Sequence, residues 1–368
     1  MKILLCFGTR PEAIKMAPVI QELKKRNLKF KVCVTAQHRE MLDQVLGFFE
    51  IIPDYDLDLM VPRQSLNSLS ALILNKIDEV LEQYKPDFVL VQGDTTTAFI
   101  ASLAAYNRRI KIGHIEAGLR TGNLKSPFPE EGNRQLISRI ADFHFAPTVS
   151  AKNNLLLESV PEVNIIVTGN TVIDALLIGK SKLEIGYFNQ EIKQLQVSLK
   201  ADKKLILVTG HRRENFGRGI EEVCLSLLQI AARDDLQIVF PVHLNPKVKN
   251  PVFKLLSDKR NIHLIAPVNY PAFIWLMIRS DLIISDSGGI QEEAPSLKKS
   301  VIVTRDNTER REAVEAGFSF LTGTSQQEII SEAFRLLDSK PDYSRTNNPF
   351  GDGLASDRII KYLKGNYA

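Results

Sequence analysis

The chain has 368 residues, 44% of them hydrophobic and 24% charged, the balance of a soluble globular protein with room for two domains of about 100–200 residues, each with its own core. Lys plus Arg (47) exceeds Asp plus Glu (43) for a formal net charge of +4, which argues against a strongly basic nucleic-acid binder and leaves room for a local basic pocket that takes a phosphorylated small molecule. Cys6, Cys33 and Cys224 lie in apolar stretches and read as small core residues in a reducing compartment. The apolar part of the N-terminus is too short for a signal peptide, and no apolar run reaches the roughly 18 residues of a membrane span, so the expected location is the cytoplasm.

Short apolar runs alternate with amphipathic stretches along the chain. In order, the predicted strands are Ile3–Phe7, Lys31–Thr35, Phe88–Gln92, Ile110–His114, His144–Ala146 and Ile165–Thr168, followed by Leu205–Thr209, Ile238–Val242, Ile262–Ile265, Leu282–Ser285 and Val301–Thr304. The clearest predicted helix is Ser68–Tyr84, with Leu69, Leu72, Ile73, Ile77, Val80, Leu81 and Tyr84 at helical spacing and Pro86 to stop it. Such alternation means βαβ units and parallel sheets. A helical stretch, Asn170–Leu199, and a polar break at 200–204 separate the two sets of strands. The expected fold class is therefore α/β, two doubly wound domains divided near residues 169 and 170, with a cleft between them. Ligands of such sheets bind at the carboxyl ends of strands, and the loops richest in polar residues here all follow predicted strands.

The first of these loops, Gly8-Thr-Arg-Pro-Glu-Ala-Ile-Lys15, opens a helix whose N–H groups and dipole suit a phosphate, with Arg10 and Lys15 adding charge; a capped helix with two surface cations fits equally well. In Gln92-Gly-Asp-Thr-Thr-Thr97, Asp94 either caps the next helix, which the spacing favours slightly, or projects towards a ligand. The stretch His114–Arg134 is the densest in charge, with Glu116, Arg120, Glu130, Glu131 and Arg134 around a Gly- and Pro-rich loop. Acids able to move protons there sit beside cations able to hold an anionic leaving group. Glu130 and Arg134 fall on one helix face. Read as an exposed ion pair they are worth about 0–1 kcal/mol, but the rigid Pro127-Phe-Pro129 favours function. Thr209-Gly-His211-Arg-Arg-Glu-Asn-Phe-Gly217 reads as an anion site with a histidine able to move a proton, and His243 is a weaker candidate. Ser285-Asp-Ser287-Gly-Gly289, followed by a helix carrying Glu292 and Glu293, reads as a diphosphate cradle with Glu293 available for ribose hydroxyls, or as a tight strand–helix turn. Neither G-x-G-x-x-G nor a Walker motif is present, and no His/Cys/Asp cluster has metal-ligand spacing. No nicotinamide cofactor, ATP or metal is expected.

Seven motifs in order, Gly8-Thr-Arg-Pro-Glu-Ala-Ile-Lys-Met-Ala-Pro18, Gly93-Asp-Thr, His114-Ile-Glu-Ala-Gly-Leu-Arg-Thr-Gly, Pro129-Glu-Glu-x-Asn-Arg134, His211-Arg-Arg-Glu-Asn, Asp286-Ser-Gly-Gly-Ile-Gln-Glu-Glu-Ala-Pro295 and Asn348-Pro-Phe-Gly-Asp-Gly353, resemble the non-hydrolysing UDP-N-acetylglucosamine 2-epimerases from end to end. The resemblance implies a GT-B fold of two Rossmann-like domains, 1–169 and 170–352, facing a central cleft, with a final helix within 353–368 packing back on the first. It implies reversible conversion of UDP-N-acetylglucosamine to UDP-N-acetylmannosamine without a cofactor, by elimination of UDP to 2-acetamidoglucal and re-addition, in a homodimer that supplies a surface polysaccharide. By motif position, Asp94, Glu116 and Glu130 are the acid/base carboxylates, and His211 contacts the diphosphate or assists proton transfer. Arg10, Lys15 and Arg134 hold the sugar diphosphate, Ser287, Gly288 and Gly289 the phosphate, Glu293 the ribose, Phe273 the uracil and Arg310 the nucleotide.

The same resemblance assigns an activating second UDP-N-acetylglucosamine to Gln37, Glu40, Arg63, Glu130, Arg212 and His243; some relatives carry Gln in place of Glu40. In Thr308-Glu-Arg-Arg311 the family usually has Pro at the last position, and Arg311 adds a cation. The nearest rivals are a hydrolysing 2-epimerase, whose first loop lacks the Arg10-Pro-Glu12 pattern, and a UDP-diacetamido-uronic acid 2-epimerase, which lacks Leu119-Arg-Thr-Gly122. A GT-B glycosyltransferase or a nucleotide-sugar sensor would not need the crowded acids of Glu116 and Glu130.

Overall fold

The fold is given by a computed structural model that describes residues 1–35, 39–60 and 64–365, without the side chain of Glu40. The chain divides into two compact units, Met1–Ile178 with Phe350–Ala368, and Gly179–Pro349. The helix Thr171–Glu184 runs across the first division.

The first unit holds β1 (Lys2–Phe7), β2 (Lys29–Val34), β3 (Tyr55–Asp56), β4 (Phe88–Gln92), β5 (Lys111–Ile115), β6 (Phe143–Ala146) and β7 (Ile165–Val167), in the order β3-β2-β1-β4-β5-β6-β7. Each pairing is parallel. Helices cover both faces of such a sheet, so its inner strands read as unbroken apolar runs. All five residues of β4 are buried, and so are all but the first of β1. The helix Leu66–Tyr84 starts two residues before the predicted Ser68, because Ser65 Oγ accepts from Ser68 N (3.1 Å) and caps it there; Lys85 at φ +49 ends it before Pro86. Its face of Leu69, Ile73, Ile77, Val80 and Leu81 packs with Leu4, Val89, Val91, Ala101 and Ala105 into one cluster. Each such apolar side chain contributes about 1.5–3 kcal/mol of burial, and Ile77→Ala would cost roughly 2–5 kcal/mol.

The second unit repeats the plan with β8 (Lys204–Thr209), β9 (Leu236–Pro241), β10 (Ile262–Ile265), β11 (Leu282–Ser285), β12 (Val301–Val303) and β13 (Ser319–Leu321), in the order β10-β9-β8-β11-β12-β13 and again parallel throughout. Its core joins Ile206, Val208, Ile238, Phe240 and Ile284 to Val223, Leu227, Val252 and Ile329 of the covering helices. The α/β class and the strands predicted from sequence stand, with ends shifted by one or two residues. Sequence missed β3 and β13, edge strands of two and three residues, too short to show a period.

The C-terminal helix Ala355–Gly365 packs on the first unit. Asp174 caps it from a distance, accepting from Ser356 N (2.8 Å) and Ser356 Oγ (2.6 Å). Arg26 pairs with Asp357, and the Tyr362 ring lies edge-on to Phe143 and Phe145 at 5.6 and 6.1 Å.

Candidate active site

In both units the strand order reverses beside the first strand: β1 lies against β4 in one and β8 against β11 in the other. The chain leaves these neighbours in opposite directions, which opens a crevice at their carboxyl ends. The loops beginning at Gly8, Gly93, Gly210 and Asp286 follow these four strands.

In the first unit, the Gly8–Thr9 turn is occupied by the protein's own carboxylate. Thr9 and Glu12 form a capping box, and Glu12 Oε2 accepts from Gly8 N (3.0 Å), Thr9 N (2.8 Å) and Thr9 Oγ1 (2.7 Å). Glu12 Oε1 accepts from Thr95 Oγ1 (2.7 Å), which ties the loop after β1 to the loop after β4. Burial raises the Glu12 pKa against these hydrogen bonds. The backbone nest that sequence offered to a phosphate is therefore filled, and this loop's cationic equipment is Arg10, half-buried, and Lys15.

Asp94 is not the helix cap that its spacing favoured. Thr95 caps Thr96–Asn107, accepting from Ala98 N (3.1 Å), and this frees the Asp94 carboxylate to take a hydrogen bond from Arg134 Nη2. Asn133 Nδ2 donates to the Asp94 carbonyl (2.9 Å). Burial raises the Asp94 pKa, the nearby Glu116 charge adds to the rise, and Arg134 and Lys15 oppose it.

Glu116 ends up beside Asp94 because of an unusual backbone. Its φ is +64, a left-handed conformation that costs a non-glycine residue about 1–2 kcal/mol. The side chain is 6% exposed. Its Oε1 accepts from Lys15 Nζ (2.5 Å) and Asn170 Nδ2 (2.9 Å), and its Oε2 from Gln92 Nε2. These three are N–H donors, which suit an ionised carboxylate. His114, fully buried, meets the Gly93 carbonyl through Nε2 (2.7 Å), and burial depresses its pKa to about 3, so it is neutral. Gly118 follows at φ +91, where an added Cβ would lie 2.2 Å from the Ala151 carbonyl oxygen; only glycine fits.

The rest of the charge-dense stretch sorts into roles that sequence did not separate. The helix Glu130–Ile140 begins where expected, and Arg134 turns to Asp94 and Glu131. Glu131, 0% exposed, accepts from Thr121 N (3.1 Å), Gly122 N (3.3 Å) and Gln135 Nε2 (2.9 Å), so it shapes the loop. Arg120 is committed to Glu158 at 2.6 and 2.9 Å and to Ser138 Oγ at 2.9 Å, a structural tie rather than a grip on a leaving group. Glu130 is half-buried.

In the second unit, buried Asp286 accepts from His211 N (2.9 Å) and Arg212 N (2.8 Å), so the loops after β8 and β11 are tied together. His211 Nδ1 lies 3.5 Å from Asp286 Oδ1, and its ring stacks on His243 with centroids 5.7 Å apart. Desolvation lowers the His211 pKa, Arg212 and His243 add to the fall, and Asp286 opposes it. Ser287 stands at the N-cap position of a short helix, Gly288–Glu293, without a side-chain capping hydrogen bond. The Arg310 guanidinium packs flat on Gly288, donating through Nε to Glu292 Oε1 (2.9 Å) and through Nη1 to Glu309 Oε1 (2.5 Å). Glu309 also meets Arg305 at 2.9 Å and Arg212 at 3.7 Å; burial alone would raise its pKa, but the arginines and its own backbone N–H bring it to about 2. The Arg212 Nε is buried without a hydrogen-bond partner. Glu293 is buried beside Tyr270, whose hydroxyl is 3.5 Å from Glu293 Oε1, and half-buried Phe273 lies on the same helix, Tyr270–Arg279.

The first unit thus brings together Lys15, Asp94, Glu116 and Arg134, and the second gathers His211, Arg212 and His243 at Asp286 and sets Arg310 against Gly288, with Glu293 beside Tyr270 at the far end of the same short helix. Gln37, Arg63 and the Glu40 side chain lie outside the described residues. Sequence missed Gln92 and Asn170 on Glu116, Asn133 on Asp94, and Glu309 among the arginines. The available signal was position: Gln92 ends β4 and Asn170 follows β7, the strand ends where ligand-facing groups gather.

The family model described as UDP-N-acetylglucosamine 2-epimerase matches residues 21–364. The UDP-N-acetylglucosamine 2-epimerase of Escherichia coli K12 is 54% identical over 372 residues, covering 100% of this chain and 99% of the relative. Among solved structures, UDP-GlcNAc 2-epimerase from Neisseria meningitidis bound to UDP-GlcNAc superposes with a TM-score of 0.91 at 54% identity, covering 99% of this chain and 100% of that one. The Methanocaldococcus jannaschii UDP-GlcNAc 2-epimerase in complex with UDP-GlcNAc and UDP gives 0.83 at 35% identity, covering 99% and 100%. With two parallel sheets of the GT-B kind and matching sequence over its whole length, the chain belongs to the UDP-N-acetylglucosamine 2-epimerase family of isomerases.

Proposed function

We propose that the protein interconverts UDP-N-acetylglucosamine and UDP-N-acetylmannosamine without hydrolysis, as a homodimer feeding a surface polysaccharide pathway. The carbon-2 proton of the sugar has no adjacent carbonyl to acidify it. Elimination solves this: a carboxylate takes the proton from carbon 2 while the bond from carbon 1 to UDP breaks, leaving 2-acetamidoglucal and UDP. UDP then adds back at carbon 1 and a proton returns to the opposite face of carbon 2. Two proton-handling groups and cations for the diphosphate are the minimum equipment.

The observation that carries this reading is the pairing of Glu116 with Asp94. Glu116 is a buried carboxylate in a left-handed backbone, held by Lys15, Gln92 and Asn170. Asp94 is a second carboxylate whose proton burial holds more tightly. In this reading they are the acid/base pair with Glu130 as the third carboxylate, Arg134, Arg10 and Lys15 steady the departing diphosphate, and His211 assists it. Ser287, Gly288, Gly289 and Arg310 take the nucleotide phosphates, Glu293 the ribose and Phe273 the uracil. The Neisseria and Methanocaldococcus relatives, solved with UDP-GlcNAc or UDP-GlcNAc and UDP, support the ligand. The same reading includes activation by a second UDP-GlcNAc, with Glu130, Arg212 and His243 among its contacts.

The test is NMR of UDP-N-acetylglucosamine with the enzyme in deuterium oxide. Both UDP-sugars carrying deuterium at carbon 2 are the expected product. Free N-acetylmannosamine with UDP would replace this reading by the hydrolysing one, and product without deuterium would remove proton abstraction. A sigmoidal rate curve in substrate supports activation; a hyperbolic one rejects it.

A further inference from the structure

We propose that Asn170 is a positioning residue for the reaction, its side-chain amide holding Glu116 in place when Lys15 turns to an anionic substrate. The inference rests on Glu116 acting as an acid or base, the reading given above. Glu116 Oε1 is shared between Lys15 Nζ and Asn170 Nδ2. A lysine ammonium is a mobile point charge on a flexible stem, and a diphosphate competes for it. The Asn170 amide does not move in the same way. Its Oδ1 accepts from Val172 N (3.1 Å), its own N–H donates to the Phe350 carbonyl (2.7 Å), and it is 2% exposed. Since Oδ1 faces an N–H, the amide has one orientation and Nδ2 faces Glu116. The site is also packed from behind: Gly169 sits at φ +88, where a side chain would be strained, and an added Cβ would lie a tight 3.2 Å from Gly351 Cα. A strained residue keeps its conformation only where its surroundings over-determine it; for Glu116 the neutral part of those surroundings is two buried amides, Gln92 on Oε2 and Asn170 on the Oε1 that Lys15 shares.

Asn170→Asp separates positioning from folding. Aspartate keeps the acceptor for Val172 N and so keeps the start of the helix Thr171–Glu184, but it sets an oxygen where the donor to Glu116 stood. Among the described residues, the charged and titratable groups around Glu116 include Lys15 of the helix Arg10–Lys25, Asp94 beyond β4 and His114 of β5; Asn170→Asp adds a carboxylate to that set. Two carboxylates sharing a site raise one pKa. The expected result is an acid limb of the kcat/KM profile moved up by about one pH unit or more, and kcat at neutral pH lower by roughly tenfold or more with KM for UDP-N-acetylglucosamine within about threefold. Asn170→Ser keeps a capping oxygen and removes the donor; it should lose kcat with the acid limb where the parent has it. Parent-like kcat and pH profile in Asn170→Asp would overturn the proposal. So would equal losses in both variants with an unshifted limb and matching falls in Tm, the mark of a purely structural residue. Deuterium uptake at carbon 2 by the parent enzyme is measured alongside: its absence defeats the reading of Glu116, whereas uptake with an unaltered Asn170→Asp defeats only the role of Asn170.

Discussion

Gly288 and Gly289 are adjacent and chemically alike, yet the structure predicts that a methyl group on each has a different consequence. An added Cβ at Gly288 would lie 2.9 Å from Arg310 Cζ and 3.1 Å from its Nε and Nη1, whereas at Gly289 the nearest atom is Ser287 Oγ at 3.9 Å. Neither glycine needs a positive φ, so alanine strains no backbone. In Gly288→Ala the guanidinium must retreat by roughly 0.5–1 Å to reach ordinary contact, which stretches its 2.9 Å hydrogen bond to Glu292, a side chain only 3% exposed. Losing a hydrogen bond to a charged group costs about 1.5–3 kcal/mol, and replacing glycine in a helix returns up to about 1 kcal/mol. The net is about 0.5–2 kcal/mol, or roughly 1–8 °C of Tm for a unit of this size. Gly289→Ala should leave Tm unchanged or slightly higher. If both glycines give a phosphate its close approach, both substitutions weaken UDP binding about tenfold or more, about 1.4 kcal/mol. Thermal unfolding without ligand and calorimetric titration with UDP measure the two effects separately. A parent-like Tm for Gly288→Ala refutes the packing argument, and parent-like UDP affinity for Gly289→Ala refutes the phosphate site.

Glu116→Gln should lower kcat by about two orders of magnitude or more, the usual cost of losing general acid–base catalysis, while UDP still binds by calorimetry; near-normal turnover removes Glu116 from the acid/base set. Glu131→Gln places an NH2 among the N–H groups of Thr121, Gly122 and Gln135 that the carboxylate now satisfies; the cost should be about 2–4 kcal/mol with faster protease cleavage in 119–129, and an unchanged Tm would show that this loop does not depend on the acid. Asp174 tests linkage. Burial raises its folded pKa, against the hydrogen bonds from Ser356 and Ala355, above the roughly 3.9 of an unfolded aspartate. A raised carboxylate contributes stability that is full below the unfolded value and is lost as pH rises through the folded value. The Tm of the parent minus that of Asp174→Asn should therefore fall as pH rises from about 4 towards neutrality, and a pH-independent difference would contradict the assignment.

Much of the fold was legible in sequence because parallel strands covered on both faces are continuous apolar runs. Phe88–Gln92 needs no knowledge of its neighbours to be recognised, and the motif loops could then be placed at strand ends by rule. The edge strands Tyr55–Asp56 and Ser319–Leu321 were illegible because their length is set by the sheet they border rather than by their own pattern. In the candidate site, residue types were legible and partners were not. Four capping-competent residues stand in a row at Asp94–Thr97, and only the backbone decides that Thr95 takes the cap and Asp94 the arginine. Glu116 lies near enough for its charge to act on Asp94, and it has a positive φ that no local pattern announces. Asn170 and Gln92 carry no charge, so a search for titratable groups passes over them.

The two sheets share one strand order, and in each a single buried acid staples the two loops at the point where that order reverses. In the first unit the acid comes from the loop side of β1: Glu12 gathers Gly8 and Thr9 and reaches Thr95 beyond β4. In the second it comes from beyond β11: Asp286 gathers His211 and Arg212 beyond β8. The direction of the staple decides what each unit has left to offer. Where Glu12 fills the first nest, what the unit gathers is side chains, the carboxylates Asp94 and Glu116 with the cations Lys15 and Arg134, a set that suits proton transfer beside an anion. Where Asp286 draws the first loop in from the other side, the turn Ser287–Gly289 holds no carboxylate of its own: Ser287 N donates to Ser285 Oγ (2.9 Å) and Arg310 lies against Gly288, a setting that suits an anion. One topology thus yields two chemistries, and the difference lies in which loop supplies the buried acid rather than in either sheet.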